Sequence, residues 1–83
     1  MELTYTMQRI FELAYSANST ETDYLLTKLV SESRSSLAVM EDDEKKYRRN
    51  YHDDAAGHLT DRIFETRKYI AQLESLLSTL RLR

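Results

Sequence analysis

The chain has 83 residues with one Gly, no Pro, no Cys and no Trp, and a formal charge of −2 at neutral pH. That length allows one small domain, which buries only about two thirds of the surface its unfolded form exposes, so self-association or a partner is expected to complete its core. Lack of Cys excludes disulfides, thiolate catalysis and sulfur-ligated zinc, and it favours a reducing compartment.

The opening Met1-Glu2-Leu3-Thr4-Tyr5 has no basic start followed by an apolar run, and the longest unbroken apolar run is Leu37 to Met40. The expectation is a soluble, cytoplasmic protein with no membrane span. Charge is unevenly spread: residues 1–43 carry 3 basic and 8 acidic groups, net −5, and residues 44–83 carry 9 and 6, net +3. Two parts of opposite sign suit antiparallel packing of the halves, or of two copies, better than nucleic-acid binding, which usually shows as an overall basic balance.

With almost no Gly or Pro to build loops and hairpins, the fold class is all-α. Apolar residues recur at helical spacing as Leu3, Met7, Ile10, Ala14 and Ala17, with Phe11 and Leu13 beside them, which predicts a helix over about 2–17. Asn18-Ser19-Thr20 reads as a turn into a cap, with Thr20 as N-cap and Asp23 as its capping-box partner, and Ser19 as the alternative cap. A second helix over about 20–51 follows from the seam Leu26, Val30, Ser33, Leu37, Met40, Glu44, Tyr47, Tyr51, whose spacing alternates between 4 and 3. Four serines within residues 31–36 lower helix propensity there and mark the one place where that helix could break, although continuity is the preferred reading.

Asp53 and Asp54 are good N-cap residues, and beyond them Leu59, Ile63, Thr66, Ile70, Leu73, Leu77 and Leu80 keep the same alternation, predicting a third helix over about 54–82. Gly57 would either delay its start or mark close approach of another backbone. The two long helices match as an antiparallel hairpin that turns near residues 52–54, placing Tyr47 near Leu59, Met40 near Thr66, Leu37 near Ile70, Val30 near Leu77 and Leu26 near Leu80. The short first helix can cover only the end of the hairpin that holds residues 22–38 and 70–82. A three-helix bundle with a two-stranded tip results, and it is expected to dimerise or to bind another protein.

Function is expected to reside in that tip. Met40, Tyr47, Tyr51, Leu59, Ile63 and Phe64 would leave apolar area wet, and such a patch usually means an interaction surface. Lys45, Arg48 and Arg49 beside them would steer an acidic partner. The same stripe, interleaved with Tyr47, Tyr51 and His52, is also what a phosphate-and-stacking surface needs, so a nucleic-acid-binding regulator is the alternative. Against both stands self-pairing, because Glu41 to Lys45, Asp42 to Lys46 and Glu44 to Arg48 are acid-first pairs four residues apart.

His52, Asp54 and His58 form a weaker constellation, in which Asp54 and His58 stand one helical turn apart, as metal ligands do. A helix cap and a surface imidazole explain the same residues. No Ser or Cys nucleophile and no Gly-rich oxyanion loop accompanies the histidines, so neither catalysis nor a cofactor is expected. Phe64, Leu76 and Leu82 lie off the hairpin seam and are candidates to face the first helix or a second chain. Six Tyr add surfaces that serve equally as helix flanks or as contacts.

Overall fold

The structure, a computed structural model, describes residues 2–83. They form three helices, α1 (Tyr5–Ala17), α2 (Ser19–Arg49) and α3 (Asp53–Arg81). Alpha-helix starts later in α1 than the apolar spacing suggests, because the Thr4 hydroxyl accepts from the Met7 N–H and so caps the first turn. Residues 2–4 precede it as extended chain, pinned where the Leu3 N–H donates to Gln72 Oε1 at 3.0 Å.

No loop separates α1 from α2. Asn18 ends the first, its N–H bonded to the Ala14 carbonyl at 2.9 Å, and begins the second, its side-chain oxygen accepting from the Glu21 N–H at 3.1 Å. Its amide nitrogen also donates to the Glu21 carboxylate, so the cap sits two residues earlier than the Thr20–Asp23 pair expected from sequence. Asp23 is instead used by α3. Arg81 grips its carboxylate through Nε at 2.6 Å and an Nη at 2.8 Å.

Helix α2 runs unbroken through Ser31–Ser36. The weak propensity of that stretch is overridden by pairing with α3, through the Arg34–Glu74 ion pair and the Leu37–Ile70 neighbours. It ends at Arg49 in a Schellman motif, in which the Tyr51 N–H bonds to the Arg48 carbonyl at 3.2 Å and the His52 N–H to the Tyr47 carbonyl at 2.9 Å. Tyr51 sits at φ 60, the left-handed position that Gly usually fills, and the Tyr47 and His52 rings meet edge-on, 6.2 Å apart, across the motif. His52 then occupies the N-cap of α3, while Asp53 and Asp54 stand in its first turn rather than capping it. Gly57 neither delays α3 nor admits a neighbour, since nothing lies within 4 Å of where its Cβ would be.

The hairpin register is the one the apolar seams predict. Arg34 pairs with Glu74, Arg67 with Glu41 at 3.0 Å and Arg81 with Asp23, so each step down α2 is a step up α3. Leu26, Leu73 and Leu80 are the largest fully buried side chains, and Leu3, Tyr69, Leu76 and Leu77 complete the main core. Every one of them lies in the half of the hairpin that α1 covers. Toward the turn only Ala56 and Ile63 are buried. The result is elongated, 50 × 20 × 15 Å, with a radius of gyration of 15.7 Å where a compact domain of this length would have about 12 Å.

In one respect α1 departs from the sequence reading. Its half-buried face is Met7, Phe11 and Tyr15, packed on the leucine core, whereas Ile10, Ala14 and Ala17 point to solvent. The bulky set at spacing 4 removes more apolar area from water than the stripe containing two alanines, and the Leu3 anchor and Asn18 pivot hold that rotation.

Two predictions follow from this packing. Leu73→Ala should cost about 2–5 kcal/mol in denaturant unfolding, whereas Leu82→Ala, at an exposed position, should stay within about 0.5 kcal/mol. Hydrogen bonds from Arg81, and its charge, hold the Asp23 carboxyl below its ordinary 3.8, so the pair stabilises the fold at neutral pH and loses that contribution as pH falls below 3.8 through the lowered value. Asp23→Asn should flatten the stability profile across that acid window, measured by unfolding at a series of pH values.

Candidate functional site

Beyond the N-terminus of α1 the face of the hairpin lies open. A shallow groove of about 300 Å³ runs there between α2 and α3, lined by Leu29, Ser33, Ser36, Met40, Thr66 and Tyr69. Two of the serines that weaken α2 intrinsically, Ser33 and Ser36, line it. Toward the turn the same side of α2 carries Tyr47, one turn plus one turn beyond Met40 at heptad spacing.

The six expected anchors do not form one patch. Ile63 is buried in the seam between α2 and α3 and is taken up by the hairpin itself. Met40 and Leu59 are half-buried at the hairpin's edge, and Tyr47 is partly exposed. Phe64, 65% exposed, stands one helical turn from Thr60 and Arg67, on the side of α3 away from the groove. Tyr51 projects from the apex and is 88% exposed, held there by its left-handed backbone. Of the off-seam residues, Leu76 is buried in the core that α1 covers, while Leu82 remains exposed.

The basic stripe divides in a similar way. Lys46 pairs with Asp42 at 3.4 Å, and Arg48 pairs with Glu44 at 3.8 Å while donating to the Thr60 hydroxyl at 3.0 Å. Glu41, the expected partner of Lys45, reaches across the hairpin to Arg67 instead. Among the described residues Lys45 and Arg49 make no ion pair, and they are the two cations of the stripe that α2 leaves uncommitted.

His52 is held at the turn against Tyr47, and Asp54 and His58 stand on the first turns of α3. The structure does not gather them: among the described residues no three carboxylate or imidazole side chains converge as a metal site. No helix among the described residues is long and apolar enough to cross a membrane. Comparison with protein-family models, with curated proteins and with solved structures finds no match to this chain.

Tyr51 carries backbone strain without burial, so its side chain contributes nothing to the core that would offset it. Tyr51→Gly should therefore raise stability by about 0.5–1 kcal/mol in chemical denaturation, with no loss of helix signal.

Proposed function

We propose that the chain is a small, non-enzymatic helical interaction module, a regulator, inhibitor or adaptor that binds another protein along the tip half of its hairpin. One observation carries this reading: the tip is a two-helix ribbon with only Ala56 and Ile63 buried, while the largest fully buried side chains, Leu26, Leu73 and Leu80, belong to the core that α1 packs on. Two helices alone bury too little area to be rigid, and a partner helix laid in line with α1 would complete the bundle. Met40 and Tyr47 would anchor it, with Leu59 at the edge, and Tyr51 would meet it at the apex.

Charge supports the same direction. Among the described residues Lys45 and Arg49 make no ion pair, and both are exposed, so they would draw an acidic surface toward the tip without adding to the folded chain's stability. The strained Tyr51 is a further sign, since an exposed aromatic side chain at a position suited to Gly is retained at a cost. The free Lys45 and Arg49 are also what favour the second reading, nucleic-acid binding, and it predicts affinity that falls steeply with salt.

The test is affinity capture with the full chain against a Met40→Asp, Tyr47→Asp variant whose circular dichroism matches wild type. Proteins held by wild type and lost by the variant are expected. Capture that is equal for both, or retention of nucleic acid that disappears only in a Lys45→Ala, Arg49→Ala variant, would sink the tip reading.

A further inference from the structure

Helices α1 and α2 are a single helix interrupted at one residue. Asn18 alone stands between them outside helical geometry, at φ −151 and ψ 92. Its N–H still donates to the Ala14 carbonyl at 2.9 Å, and its carbonyl still accepts from the Thr22 N–H at 3.1 Å, both the four-residue bonds of an uninterrupted helix. The ladder lapses only at the N–H groups of Ser19, Thr20 and Glu21, the last of which bonds to the Asn18 side chain at 3.1 Å. Turning the Asn18 backbone to helical angles would restore those three bonds and swing α1 off its seat, as the first part of a helix running from Tyr5 to Arg49.

Nothing that holds α1 requires it to belong to the same chain. No side chain of α1 is fully buried, and it rests on the leucine core through half-buried Met7, Phe11 and Tyr15. The segment before it adds buried Leu3, the hydrogen bond from the Leu3 N–H to Gln72 and the exposed Glu2–Lys68 pair. A second copy's residues 2–17 would make each of these contacts unchanged.

Exchange between two chains places α1 of the first on α2 of the second and the reverse, so a continuous helix has to present both contacts on one face. Thr22 and Leu26 are the buried residues of α2, and Leu29 packs against the same core as Phe11 and Tyr15. On one straight helix at about 100° per residue, Phe11, Thr22, Leu26 and Leu29 all fall within about 40° of Tyr15. Fold-back within a single chain imposes no such agreement, because the Asn18 dihedrals set the rotation of α1 whatever the number of residues between the contacts.

We infer that α1 is exchangeable: a second copy's residues 2–17 take its seat with Asn18 as the hinge, giving a two-fold dimer whose long helices cross beside their hinges. A one-residue connection favours this opening, since it has no slack with which to ease the reversal inside one chain. The tips lie at the far ends of such a dimer, so the exchange goes beyond the tip reading and leaves it untouched.

Sedimentation equilibrium after refolding at high concentration tests the exchange. Wild type should contain a species of about twice the 9.8 kDa chain mass that grows with concentration. Asn18→Ala removes the cap of the closed form and favours helix at the hinge, and should shift the equilibrium toward dimer about tenfold or more. Inserting Gly-Ser-Gly-Ser after Asn18 lets α1 close on its own hairpin and should leave monomer. The chain has no Cys, so a Glu2→Cys chain refolded together with a Lys68→Cys chain and treated with a short bis-maleimide should give a linked pair of chains, because residues 2 and 68 meet in the seat. A monomeric wild type, a dimer that persists with the insertion, or a dimer in which no link joins the two chains would each overturn the inference. The Met40→Asp, Tyr47→Asp variant should exchange as wild type does, so failure here and failure of the tip reading are separately visible.

Discussion

Everything distinctive in this molecule depends on a mismatch of lengths. The 13 residues of α1 rise about 20 Å, while α2 and α3, of 31 and 29 residues, rise about 45 Å. With Asn18 serving as the last cap of one helix and the first cap of the next, α1 has no slack with which to slide along the hairpin. It can only fold back over the end from which it started. The leucine core forms where three helices meet, and it thins to two buried residues where there are two.

Electrostatics sets the register without dominating stability. Four of the ion pairs between helices or across to the N-terminal segment join an acid of the first half of the chain to a base of the second: Asp23–Arg81, Glu41–Arg67, Glu12–Arg83 and Glu2–Lys68. Arg34–Glu74 runs the other way. Pairs this exposed contribute little each, yet a slip of α3 along α2 would break them and carry the leucines out of line. The choice of Glu41 illustrates how tertiary pairing reshapes a surface. By pairing with Arg67 it leaves Lys45 without the acid four residues before it, and Lys45 joins Arg49 as an uncommitted cation.

Of the candidate site, the sequence made legible its half of the molecule but not its membership. A period of 3.5 identifies which residues share a stripe, and Ile63 on α3 and Met40 on α2 fit their own stripes equally well. Which is sealed depends on whether the facing residue is large and central, and Ile63 lies on the seam's midline whereas Met40 lies at its edge. Phe64 is a neighbour of Ile63 in sequence and about 100° away around the helix, so adjacency there misleads. For α1 the misreading had a different cause. The helix carries two apolar stripes, both at valid spacing, and a pattern cannot say which one will be buried.

What the sequence determined by itself was the class, the number of helices, the hairpin and its register, because scarce Gly and Pro, alternating spacings of 3 and 4, and opposite charges in the two halves are properties of the chain alone. Helix continuity through Ser31–Ser36, the cap at Asn18, the left-handed Tyr51 and the face that α1 buries were decided only in the tertiary structure. Each of those turns on a competition between local alternatives nearly equal in energy, two caps two residues apart or two stripes on one helix, and contacts from residues distant in sequence supply the difference.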